Sequence, residues 1–163
     1  MPIAKWSPWL TKSIWKTTQH KHRRLARMTA LNNQAKAGEE ITILSVDAMG
    51  GDLGPDAVVA GLERAALKNP QLGFILHGDI DQLKPLVARR TQLAVRCDIR
   101  DAKRVVSMTD KPSQVMRQGK GTSMWSALES VRDGEATGCI SCGNTGALMA
   151  LSMIRLRKLP GVN

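Results

Sequence analysis

The 163-residue chain contains no tyrosine, one phenylalanine and three cysteines. No stretch approaches the ~18 consecutive apolar residues that a membrane-spanning helix needs, because charges or glycine interrupt every candidate. A membrane-spanning protein is thereby excluded. Three cysteines cannot close a full set of disulfides, and the N-terminus lacks the continuous apolar core and small-residue cleavage site of a secretory signal, so a reducing cytoplasm is the expected location. Carboxylates are scarce at the front of the chain: Lys5, Lys12, Lys16, Lys21, Arg23, Arg24, Arg27 and Lys36 stand against Glu39 alone, so residues 1–39 hold +7 of the total charge of +10. Trp6, Trp9 and Trp15, three of the four tryptophans, lie in the same segment. What is present in quantity is apolar residue, 42% of the chain, which argues against wholesale disorder at a length suited to one ordinary domain.

Two regions follow from this distribution, a basic tryptophan-containing extension over 1–40 and an α/β body over 41–163. The extension has three readings: a disordered tail, a start assigned too early because Met28 opens a second possible beginning, or a segment that lies on an anionic membrane surface with its aromatic rings at the interface. The body is nearly neutral. Ile41 to Asp47 is a β-branched run of strand length that feeds a turn with three glycines, and Pro55 suits the first turn of a helix carrying Val58, Val59, Leu62, Ala65 and Ala66 up to Asn69-Pro70. Leu72 to Gly78 predicts a second strand, Asp79 and Asp81 can cap a helix running to about Arg90, and Leu93 to Ile99 predicts a third strand.

Val105-Val106 predicts a short further strand. Asp110 is the expected cap of a helix that starts at Pro112 and ends near Gly119, and Thr122 or Ser123 the cap of the next, with Trp125, Ala127, Leu128 and Val131 as its apolar face and Gly134 as its left-handed end. Gly138 to Cys142 then predicts a short apolar strand, Gly143 to Gly146 a tight turn, and Ala147 to about Lys158 a helix broken at Pro160-Gly161. The alternation β-α-β-α-β-α-α-β-α predicts a three-layer αβα sandwich around a mostly parallel sheet, with its ligand site at the carboxyl ends of the strands.

Two turns leave a strand and open a helix: Asp47-Ala48-Met49-Gly50-Gly51-Asp52 and Ser141-Cys142-Gly143-Asn144-Thr145-Gly146-Ala147. Glycine lets backbone N–H groups converge, and a helix N-terminus adds positive partial charge, so each turn is a candidate anion cradle; a plain corner in a parallel sheet is the alternative. Arg117 to Met124 places two cations, two glycines and two hydroxyls at a third helix start. The P-loop pattern is missing, and Gly119 to Met124 fails the dinucleotide pattern at its last place. His77 inside an apolar strand reads as a core histidine rather than a general base, and Asp47 and Asp52 read as anchors for the loop amides rather than metal ligands. Cys139 and Cys142 form a C-x-x-C without a second ligand pair, and read as small residues closing a buried strand.

The run Asp47 to Asp52 with Gly54-Pro55, then Lys111-Pro112-Ser113, Thr122-Ser123-Met124 and Gly143 to Ala150, in this order and spacing, resembles the PlsX phosphate acyltransferases of bacterial phospholipid synthesis. The resemblance covers about Ile41 to Val162. It implies transfer of a fatty acyl group from acyl carrier protein to inorganic phosphate, giving an acyl phosphate with no metal or cofactor. It further implies a homodimer in the cytoplasm with peripheral membrane contact, and no nucleic acid as partner. On this reading Asn144 and Ser123 are the catalytic candidates, and Asp47, Gly50, Gly51, Asp52, Lys111, Gly143, Thr145 and Gly146 bind phosphate or the acyl group. Two departures stand out: Cys142 where alanine is expected, and a length near half that of the family. An exposed sheet edge and apolar surface are expected in so short a member. Arg89, Arg90, Arg100, Lys103 and Arg104 are the cations considered for carrier-protein contact, against a simple solvated face. The competing reading from another class is a basic membrane-surface or nucleic-acid binding protein in which the body is only a scaffold.

Overall fold

The computed structural model describes residues 41–157 and 161. The readings made for residues 1–40 and for the Lys158 end of the last helix fall outside them. Four strands form one all-parallel sheet: β1 (Thr42–Asp47), β2 (Leu72–Gly78), β3 (Cys97–Asp101) and β4 (Gly138–Ser141), in the order β3-β2-β1-β4. The connecting helices are α1 (Gly54–Lys68), α2 (Ile80–Ala88), α3 (Thr91–Ala94), α4 (Pro112–Gln118), α5 (Ser123–Arg132) and α6 (Thr145–Arg155). From β1 the chain steps outward to β2 and β3, then crosses back to place β4 on the other side of β1. The order therefore reverses between β1 and β4, the position at which open α/β sheets part their loops and bind ligands.

Period-2 alternation sends the two sides of each strand to different helix layers. Val46, Phe74 and Leu76 point into a core with Val59, Leu62 and Ala66 of α1, Leu83 and Val87 of α2, and Leu93 of α3. The opposite layer packs Val115 of α4, Met124 and Leu128 of α5, and Ala147 and Leu151 of α6 around Val106. Pro55 lies in the first turn of α1, the Asp79 side chain caps α2 by accepting from the Asp81 amide, and Thr122 caps α5 by accepting from the Trp125 amide. Gly134 closes α5 at φ +71°. Among the described residues no helix is long and apolar enough to cross a membrane.

Six expectations are corrected. Leu93 to Ile99 is not a strand from its start: Thr91–Ala94 is a short helix that buries Leu93 in the first core, and the strand begins only at Cys97. Leu93 satisfies either periodicity, and burial against α1 and α2 decides for the helical turn. Val105-Val106 forms no strand; pairing there is a single bridge between Arg104 and Thr122, and Val106 packs into the second core instead. Asp110 does not cap α4, because its carboxylate accepts from the Ser107 amide within its own loop and Lys111 stands at the cap without a side-chain bond. The helix expected from Ala147 already includes Thr145 and Gly146, because the Asn144 side chain accepts from the Ala147 amide and starts the helix two residues early. On α5 the buried face is Met124, Ala127 and Leu128 with Ser123 and Ser130, while Trp125 and Val131 are only half-buried. The buried position proposed for the cysteine pair also changes: β4 is an edge strand, Cys139 is half-buried and Cys142 exposed, and both are free thiols.

Candidate functional site

β1 and β4 run side by side with Asp47 opposite Ser141, so the two glycine-containing turns leave the sheet as neighbours. Asp47 is buried, and its carboxylate joins them: one oxygen accepts from the Met49 amide at 3.3 Å, the other from the Ser141 hydroxyl at 2.8 Å, and Ser141 Oγ in turn accepts from the Gly143 amide at 3.1 Å. Ser141 thus relays Asp47 to the second turn. Sequence reasoning did not single it out, although its place at a strand end beside an aspartate was a usable signal.

The two turns touch backbone to backbone. A Cβ added to Gly50 would lie 2.9 Å from the Asp47 carboxylate and 2.9 Å from the Gly143 nitrogen, so only glycine permits the approach. Gly51 follows at φ +98°, a conformation that side-chain-bearing residues rarely adopt, and stands against Cys142. Asp52 is exposed and, among the described residues, makes no hydrogen bond. Of the two aspartates, Asp47 alone organises the seam.

Asn144 sits at the N-cap of α6, nearly buried, with every polar atom engaged. Its Oδ1 accepts from the Ala147 amide at 3.0 Å, and its Nδ2 reaches the carbonyls of Ser107, Met108 and Asp110 at 3.1, 3.2 and 2.9 Å. The side chain therefore fastens the start of α6 to the loop that precedes α4. Gly146 completes the join, since a Cβ there would lie 3.1 Å from Pro112. Thr145, Gly146 and Lys111 are exposed beside it.

Ser123 begins α5, fully buried, and its hydroxyl finds no partner among the described residues. Its amide donates to the Arg104 carbonyl at 2.9 Å, in the segment that leaves β3. Helices following parallel strands run back antiparallel to them, so the starts of α1, α5 and α6 all belong to the carboxyl edge of the sheet. Their first-turn amides and dipoles favour an anion there. The α5 position is held by hydrogen bonds rather than by apolar packing alone. Ser45 donates to the Ala127 carbonyl at 2.8 Å, and the fully buried His77 ring contacts Ser126 Oγ at 2.8 Å and Ser130 Oγ at 3.2 Å. Arg100 donates to Ser130 Oγ at 2.7 Å and pairs with Glu135 at 2.6 Å. His77 is thus a satisfied core histidine and takes no part in the site.

The C-x-x-C carries no metal-site geometry: among the described residues no three His, Cys, Asp or Glu side chains gather as a metal-binding group. Burial, and secondarily the Asp47 charge, push the Cys139 thiol up to about 12.

The family model described as "Fatty acid synthesis protein" matches residues 42–163. The chain is 67% identical over 136 residues to a phosphate acyltransferase of Ruegeria sp. (strain TM1040), covering 83% of this chain and 36% of that protein. It is 69% identical over 121 residues to one of Paracoccus denitrificans (strain Pd 1222), covering 74% and 33%, and 62% identical over 136 residues to one of Roseobacter denitrificans, covering 83% and 38%. The chain thus spans about a third of the length of these relatives.

Proposed function

Because the chain belongs to the fatty acid synthesis protein family, we propose that its carboxyl-edge seam is the phosphate-holding part of an acyltransferase that moves a fatty acyl group from acyl carrier protein to inorganic phosphate. A phosphate oxygen attacks the thioester carbonyl carbon, the new C–O bond forms as the C–S bond breaks, and the phosphate proton passes to the departing thiol. The products are an acyl phosphate and free carrier protein. Such a reaction needs the nucleophile held beside the carbonyl and donors aimed at the developing oxyanion. The observation that carries the reading is the contact of Gly50 with Gly143, which brings the amides of two turns and the starts of α1 and α6 together over a buried, committed carboxylate.

The roles divide accordingly. The amides from Gly143 to Gly146 and around Gly50-Gly51 grip the anion, with the exposed Thr145 and Lys111 as side-chain donors. Ser123 offers the one hydroxyl at this edge that is buried without a partner among the described residues. Asp47 and Asn144 position the turns, since their own polar atoms are taken. In the same proposal the family-length protein works in the cytoplasm as a homodimer with peripheral membrane contact.

The test is acyl phosphate formation from acyl-carrier-protein thioester and phosphate, comparing this chain with one extended to the family's length and with Ser123→Ala and Asn144→Ala forms of the extended protein. Turnover by the extended protein, crippled by Asn144→Ala and slowed by Ser123→Ala, is expected. A folded extended protein that is inert with every acyl donor and binds no phosphate would overturn the proposal.

A further inference from the structure

The cations of the body are of two kinds. Arg90 pairs with Asp56 and Glu63, Arg100 with Glu135, Lys103 with Asp81, and Arg104 donates to the carbonyls of Gln118 and Lys120. Four of the five cations considered from sequence for carrier-protein contact therefore already have partners within the chain, Lys103 in an exposed pair. Lys111, Arg117 and Lys120 differ: they are exposed, among the described residues no acidic side chain pairs with them, and no carboxylate occurs between Lys111 and Leu128. Asp110, the acid before them, is engaged by the Ser107 amide, and Glu129, the acid after them, by Arg132 and Arg155. Met108 and Met116 are exposed in the same stretch of chain, at 51% and 41%. Among the described residues the other cations without a partner are Arg64, Lys68, Lys84 and Arg89, on α1 and α2 or directly after α2 in segments that also carry Asp56, Glu63, Asp79 and Asp81, and Arg157 after α6.

This patch is tied to the site at both ends. Asn144 holds the carbonyls of Ser107, Met108 and Asp110, Pro112 abuts Gly146, and Arg104, just past β3, holds the carbonyls that end α4. We propose that Met108, Met116, Arg117 and Lys120 form the docking surface for an acidic protein that delivers the acyl thioester, an inference that rests on the function proposed above. Unpaired cations next to flexible apolar side chains suit an acidic helix with an apolar strip, and methionine adapts to such a surface. The alternative occupant with the same charge, an anionic membrane, is an outcome of the test.

The test measures binding of acyl carrier protein to the full chain and to Arg117→Glu/Lys120→Glu, with Arg117→Lys/Lys120→Arg as the charge-preserving control and circular dichroism to verify folding. The expected result is affinity that falls about tenfold or more on charge reversal and with added salt, and survives in the control. Equal affinity in all three forms, no binding of the carrier at all, or binding only to vesicles of anionic phospholipid would overturn the proposal. The chemistry is scored separately, in the extended protein. A raised KM for the carrier thioester with unchanged kcat and phosphate KM in the charge-reversed form supports docking. Unchanged KM for the thioester sinks docking while the reaction stands. Docking without any acyl phosphate sinks the reaction while docking stands.

Discussion

The two faces of the sheet are built from different materials. Towards α1, α2 and α3 the strands present Val46, Phe74 and Leu76 to a continuous apolar core. Towards α5 they present Ser45, Asp47 and His77, and the helix answers with Ser126 and Ser130 as well as with Met124 and Leu128. Apolar packing is non-directional and tolerates small slides, whereas hydrogen bonds fix register. The face that must aim a helix start at the carboxyl edge is the one held by directional bonds, and the face that only has to close is held by area.

The largest loss is expected on the apolar side. Leu76→Ala removes a fully buried side chain from the first core and should cost roughly 2–5 kcal/mol in a denaturant titration, leaving the chemistry of the site intact in the molecules that stay folded. On the polar side Ser130→Ala strips partners from Arg100 and the buried His77 ring, for an expected loss of about 1–3 kcal/mol. Its distinguishing readout is the loosening of α5 in amide exchange, which Leu76→Ala should not produce selectively. A cost below a few tenths of a kcal/mol for Ser130→Ala would show that the directional bonds do not hold the helix.

Asn144→Ala is expected to cost about 1–2 kcal/mol, because the α6 cap and the tie to residues 107–110 vanish together. Anion binding should suffer beyond that cost, and an intact phosphate affinity would contradict the positioning role. Smallest is the thiol contrast. The exposed Cys142 should react quickly with iodoacetamide, while Cys139 stays protonated and slow; peptide mass spectrometry reads the difference. Since the Cys139 pKa is raised on folding, the thiol leaves stability unaffected below its ordinary value of 9.0 and lowers it as pH rises towards about 12.

Much of this architecture was legible because strong local signals agreed with tertiary demand. Leu72 to Gly78 is a strand with the expected bounds, Pro55, Asp79 and Thr122 start helices as expected, and the strand alternation led directly to the parallel sheet. Illegibility had physical causes. Leu93 and Val106 are apolar residues whose secondary structure is decided by the core that receives them, which local periodicity does not reveal. The Asp110 carboxylate accepts from the Ser107 amide of its own loop rather than capping the helix that follows, and the residue type suits either use. Within the site, the glycine turns were readable as turns, but their mutual contact depends on β4 returning beside β1, a pairing between residues nearly a hundred positions apart. The tie made by Asn144 Nδ2 was equally hidden, because the groups it reaches are backbone carbonyls with no signature in sequence.

On the function proposed above, inorganic phosphate is expected to bind where the turns after β1 and β4 meet. Titrating phosphate into the 15N-labelled chain and following backbone amide resonances tests it directly. Saturable shifts are expected, concentrated at Gly50, Gly51 and Gly143 to Gly146 and abolished by Gly143→Val, in which a side chain would press on the Gly50 backbone. Shifts that gather elsewhere, or that persist unchanged in a folded Gly143→Val chain, would contradict it.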